Sequence, residues 1–138
     1  MSQAGSWDAN LEETRASETY KDYFDAIAVA SGDGVLYGSS DRVVLEPDQA
    51  TAKEIADDVR SGSFTTPSVV INDLKFMKVR VDTGGLIARC RDKMLFAAST
   101  ADAIVFAVSK DVGVDMEKTA EAVMGFSKLV EYYRSAGY

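Results

Sequence analysis

Between Ser68 and Ser109 the chain carries five apolar runs in quick succession: SVVIN, LKFMKVRV, GLIARC, MLFAAS and DAIVFAVS. Only short polar stretches such as DTG, RDK and STA separate them. Connections that short cannot hold a crossover, so consecutive runs must pair antiparallel, as a meander. In LKFMKVRV, Phe76 alternates with Lys75 and Met77, and Val79 and Val81 alternate with Lys78, Arg80 and Asp82. That period of two predicts one face turned in and one charged face turned out. DAIVFAVS is apolar almost throughout, so it needs cover on both faces.

The flanking segments supply that cover. A first helix is predicted with Ser6 as N-cap, Trp7 and Leu11 on one face, and a frayed end near Asp22. YFDAIAVAS reads as a second doubly buried strand. Gly32-Asp33-Gly34 then reverses the chain into VLYGS, a hairpin after which Ser39 and Ser40 leave the sheet. PDQATAKEIADDVRSG predicts a helix with Pro47 in its first turn, Ala52, Ile55, Ala56 and Val59 facing in, and Gly62 ending it. DMEKTAEAVMGFSKLVEYYRSAGY predicts a last helix capped by Asp115. Its inner stripe is expected to be Met116, Ala120, Val123, Ser127 and Val130, with Glu117, Lys118, Glu121, Lys128 and Glu131 outside. Gly125 costs that helix about 1 kcal/mol relative to alanine, which a close backbone approach would explain. The expected fold is α+β: a central antiparallel sheet of about seven strands, the terminal helices on one face and the middle helix on the other. One domain over residues 1–138 is expected, with residues 1–5 flexible.

The side-chain chemistry points away from catalysis. The chain has no histidine, so no His-based triad or His metal site exists. Cys90 is the one cysteine. It is predicted mid-strand, as a small buried hydrophobe. The carboxylates fall on predicted helix exteriors and turns. GDGVLYG leads into a strand rather than a helix N-terminus, which a phosphate-cradling glycine loop requires. No CxxC, P-loop or EF-hand pattern occurs. No enzyme activity, metal or cofactor is therefore expected. The N-terminus lacks the basic and apolar regions of a signal peptide, and the single cysteine fits a reducing cytoplasm.

Net charge is −7, unevenly placed. Residues 1–74 carry 5 Lys/Arg against 14 Asp/Glu, whereas residues 75–138 carry 10 against 8. Bulk charge argues against nucleic acid. The cations between Lys75 and Lys93 form a local cluster suited to an acidic partner, although charge runs are commonly only solvated surface.

Taken in order, several motifs resemble the profilin family. SWDANL resembles its N-terminal helix, which opens on a tryptophan. DGVLYGSS resembles its second strand, with Tyr37 in place of a second tryptophan. LKFMKVRVD, LIARCRDK and ADAIVFAVS resemble later strands, and SKLVEYYRSAGY resembles the C-terminal ending. The resemblance spans nearly the whole chain, and it implies a cytoplasmic, cytoskeleton-associated, monomeric regulator of actin filament assembly that binds monomeric actin. It places the actin contacts on Lys75, Lys78, Arg80, Arg89 and Arg91 of two strands, and on Lys118, Glu121, Met124, Gly125 and Lys128 of the last helix. It implies a proline-rich-peptide groove at Trp7, Tyr37, Tyr132, Tyr133 and Tyr138, and phosphoinositide head groups as further ligands. Asn10 stands where the family carries a tyrosine, which removes a stacking face and predicts weak peptide binding. The longer N-terminus, the acidity and the missing histidine mark a divergent member, of the kind found in protists and eukaryote-related archaea. A roadblock-, longin- or PAS-type scaffold or sensory domain shares the sheet-and-helix layout. The tryptophan helix and the EYYRSAGY ending favour profilin over it.

Overall fold

The computed structural model describes residues 3–82 and 85–138. Ten elements follow in order: α1 (Gln3–Arg15), β1 (Phe24–Ser31), β2 (Leu36–Ser39), α2 (Gln49–Ser61), β3 (Ser68–Ile71), β4 (Leu74–Asp82), β5 (Gly85–Cys90), β6 (Lys93–Ser99), β7 (Ala103–Ser109) and α3 (Met116–Ser135). The strands form one seven-stranded antiparallel sheet in the order β2-β1-β7-β6-β5-β4-β3. The expected meander is there, and β1 closes onto its last strand, β7.

The alternation of side chains divides the interior into two cores, one on each face of the sheet. Ala26, Ala28 and Ala30 of β1 and Ile104, Phe106 and Val108 of β7 point to one side, where α2 lays down Ala52, Ile55, Ala56 and Val59. Helix α2 lies over β3–β6, chiefly β6. Ile27 and Val29 point to the other side, with Phe96 of β6 and Val105 of β7. There they meet Leu11 of α1 and Phe126, Leu129 and Val130 of α3. All seven residues of β7 are buried, as a strand covered on both faces must be.

Several local expectations shift. Met1 and Ser2 lie outside the described residues, as do Thr83 and Gly84 of the DTG turn; from Gln3 the backbone is helical. Ser6 is therefore inside α1 and not its N-cap. The helix ends at Arg15, and residues 16–23 form turns. Ser39 stays in the sheet, paired with Ala28. Pro47 precedes the cap of α2, which is Asp48, whose carboxylate accepts from the Thr51 N–H at 2.8 Å. Gly62 ends that helix at φ +76°, as a residue without Cβ does most easily. Cys90 is the last residue of β5 and only half-buried.

Two corrections bear on function. β4 has a bulge between Lys78 and Arg80. Up to Val79 the strand alternates regularly from Phe76, so Lys78 turns into the α2 side and Val79 is exposed, contrary to expectation; the bulge then turns Arg80 out and Val81 in. In α3 the buried stripe is Ala122, Gly125, Phe126, Leu129, Val130 and Tyr133. The expected stripe was rotated from it and shares only Val130; Met116 is exposed.

Gly125 faces inward, where an added Cβ would lie 2.7 Å from the Tyr23 ring. Alanine in a helix interior normally stabilises by about 1 kcal/mol relative to glycine. Here the methyl group must displace a ring packed against the second core, so Gly125→Ala should destabilise by about 1–2 kcal/mol. Urea unfolding checks this, and a raised midpoint would contradict the packing described.

Candidate functional site

Helix α1 is seated by one close approach and one polar clamp. Gly38 of β2 leaves room for it, since a Cβ there would come within 2.7 Å of the Trp7 Cβ. The Asp8 carboxylate accepts from the Ser39 N–H at 3.0 Å and from Arg42 Nε and Nη2 at 2.8 and 3.1 Å. The Arg42 guanidinium, together with the Ser39 N–H, holds the Asp8 carboxyl below its ordinary range.

This seat brings the predicted aromatics together. Trp7 stacks on Tyr37 with centroids 5.5 Å apart, and its other neighbour is Tyr138 at 5.2 Å, edge-on. Tyr138 meets Tyr133 at 6.1 Å, and Tyr133 meets Tyr132 at 5.1 Å. The rings form one continuous series from β2 across the gap between α1 and α3. A groove of about 850 Å³ opens along that gap. Trp7, Tyr132, Tyr133 and Tyr138 line it, while Tyr37 does not and instead backs Trp7 from the sheet side.

Tyr20 also lines the groove, and sequence reasoning missed it because that segment read as a fraying helix end. It belongs to the turns after α1, buried, with its ring 6.3 Å from Phe24. Burial raises the Tyr20 and Tyr133 hydroxyls above their usual range, so both remain protonated hydrogen-bond donors at neutral pH. The α1 wall is polar: Asn10, Glu13 and Thr14 follow at helical spacing, and Ser17 extends it in the turns after the helix.

A second surface lies on the same side of the sheet, beyond α3. Helix α1 packs on β1 and β2, and α3 on β6 and β7. The strands past them keep an open face. Lys75, Met77 and Arg80 of β4 are exposed there, with the bulged Val79, and Met77 pairs with Arg89 of β5. Val70 of β3, opposite Lys75, extends the face. Arg89 is half-buried. Its Nε donates to the Arg91 carbonyl at 2.9 Å, and its Nη2 donates to the Gly113 carbonyl, tying β5 to the loop that leads into α3. Arg91 is exposed in the β5–β6 turn at φ +55°. Lys118, Glu121, Met124 and Lys128 are all exposed on α3, in steps of three and four residues that keep them on one stripe.

Two of the residues expected in this surface do not belong to it. Gly125 is buried against Tyr23. Lys78 points through the sheet to the α2 side, where its ammonium donates to Asp58 at 2.6 Å, Glu54 at 2.7 Å and Thr66 at 3.1 Å. Its side chain is 0% exposed, so it reaches no partner. Asp58 is likewise buried, contrary to the expectation that the carboxylates sit on helix exteriors and turns. The apolar members Met77, Val79 and Val70 were not anticipated. Counting by two from Phe76 places Val79 outward with Met77; pairing Val79 with Val81 on one inward face hid it.

The sequence matches a family model described as Profilin over residues 5–138. Comparison with curated proteins finds no match. Among solved structures, the fold is similar to Acanthamoeba castellanii profilin II, with a TM-score of 0.67 and 18% identity over 99% of this chain and 100% of that one. It is similar to Schizosaccharomyces pombe profilin, with a TM-score of 0.67 and 14% identity over 99% and 100%. LokiProfilin2, solved in complex with rabbit actin, is similar with a TM-score of 0.58 and 14% identity over 95% and 98%. Identities at that level show a shared fold.

Removing one partner of a buried ion pair leaves the other uncompensated. Lys78→Met should therefore destabilise the fold by about 3 kcal/mol. Adding Asp58→Leu should recover most of that loss, since Glu54 sits nearer solvent and can turn to water. Denaturant titration of the single and double variants checks both. A single variant as stable as the parent would contradict an internal role for Lys78.

Proposed function

The chain belongs to the profilin family, and we propose that it binds monomeric actin and so regulates filament assembly, acting as a single non-enzymatic domain. The observation that carries this reading is the open face of β4 and β5. It combines exposed apolar side chains, Met77 and Val79, with exposed cations, Lys75, Arg80 and Arg91. An apolar centre with a charged rim is the usual anatomy of a protein interface. Actin is acidic, so the cations complement it and would speed encounter more than they deepen affinity. The similarity to LokiProfilin2, which was solved in complex with rabbit actin, supports actin as the partner. The α3 stripe of Lys118, Glu121, Met124 and Lys128 is the proposed second half of the contact. Lys78 and Gly125 are left out of it because both are buried. Phosphoinositide head groups, if bound, would compete for the exposed strand cations.

The groove favours a second activity, binding of proline-rich peptides. Its rings offer flat apolar faces, and its hydroxyls and the Asn10 amide offer donors. A polyproline II segment presents ring faces and carbonyl acceptors, and its preformed shape limits the entropy lost on binding. Tyr20 supplies a ring on the wall where Asn10 withholds one.

Pyrene-actin assembly with sedimentation tests the actin reading. Protein in the tens of micromolar should slow nucleation and enlarge the monomer pool. Lys75→Glu with Arg80→Glu, both at exposed positions, should weaken binding about tenfold without loss of stability. Parent protein that leaves assembly unchanged, or a double variant as active as the parent, would overturn it.

A further inference from the structure

The carboxylate of Glu13 is the one group in the groove that a pure proline segment cannot satisfy. Proline has no N–H, so such a segment brings only carbonyl acceptors. The Tyr, Thr, Ser and Asn groups of the groove can donate to them. Glu13 can only accept. It lies on the α1 wall between Asn10 and Thr14, exposed, with no Lys or Arg among the groove's lining residues. The nearest cations by position are engaged elsewhere. Arg15 pairs with Glu12 and donates to the Phe24 carbonyl, Lys21 pairs with Glu18, and Arg134 pairs with Glu131 and donates to the Ser99 carbonyl. Among the described residues no cation pairs with Glu13.

We propose that the groove selects proline-rich peptides that carry a lysine or arginine among the prolines, with Glu13 as the residue that sets this preference. The inference rests on reading the groove as a proline-peptide site and names its ligand class more narrowly. The aromatic series binds the prolines. The cation supplies the donor that Glu13 lacks. The pair sits at a wet groove edge, so it sharpens selection modestly and is screened by salt.

Three peptides separate the possibilities: all-proline, and the same peptide with two prolines replaced by either lysine or alanine. Trp7 is the only tryptophan and lines the groove, so its emission reports binding. The lysine peptide should bind roughly two- to five-fold tighter than the alanine peptide at low salt. That ratio should fall to about one in high salt and in Glu13→Gln. Asp57→Asn, which removes an exposed carboxylate of α2 on the opposite face, should keep the ratio. Equal lysine and alanine affinities, with all-proline peptide bound, would overturn the preference and leave the groove reading standing. A preference that persists in Glu13→Gln would assign it to the chain's overall negative charge and overturn the role of Glu13. If no peptide changes Trp7 emission at millimolar concentration, the groove reading falls and this inference with it.

Discussion

The structure depends on a sheet whose central strands are apolar on both faces. β1 and β7 bury nearly every side chain, so helices must lie against both sides. On one side α2 packs over β3–β6, chiefly β6, and joins a core that runs on to β1 and β7. On the other, α1 packs on β1 and β2 and α3 on β6 and β7, which leaves the outer strands without a helix. Two openings result. One is the seam between the helices, which fills with aromatic rings. The other is the bare outer face of β4 and β5. Both surfaces to which function is assigned are consequences of how that second face is covered.

Electrostatics keeps the cover in place and marks which charges are free to act. Asp8 spends its carboxylate on Arg42 and on the backbone of β2, which fixes where Trp7 stands. Lys78 binds α2 and the segment before β3 to the sheet from within. Arg89 ties β5 to the approach to α3. What remains for a partner on the strand face is Lys75 and Arg91, with Arg80 exposed but paired to Asp82, beside Met77 and Val79. The cationic cluster visible in the sequence is thus smaller as a surface, and more apolar, than charge counting implied.

The meander, the hairpin at Gly32–Gly34 and the sidedness of the helices were legible in the sequence because each follows from a period or from a turn too short for alternatives. The family resemblance brought the aromatic set to one place, and Trp7, Tyr132, Tyr133 and Tyr138 do line one groove. What was not legible depends on single-residue geometry. A bulge between Lys78 and Arg80 breaks the period, turning Arg80 out and Val81 in, so Val79 and Val81 do not share the buried face that the sequence suggested. The α3 stripe is rotated because Gly125 must lie under Tyr23, a contact between residues about a hundred positions apart. Tyr20 was overlooked because a turn residue has no periodicity to place it. Glu13, like any exposed helix carboxylate, reads as solvation until the groove beside it is seen.

The central claim is that the uncovered β4–β5 face and the outer stripe of α3 meet monomeric actin, while the interior of the fold does not. Methionines sample both environments. Met77 and Met124 are exposed on the two halves of the proposed contact, and Met94 is buried in the core. A methyl spectrum of the methionines titrated with monomeric actin is the most direct measurement. The Met77 and Met124 signals should move, with Met94 unshifted. Met77 and Met124 signals that stay in place at saturating actin would contradict the account.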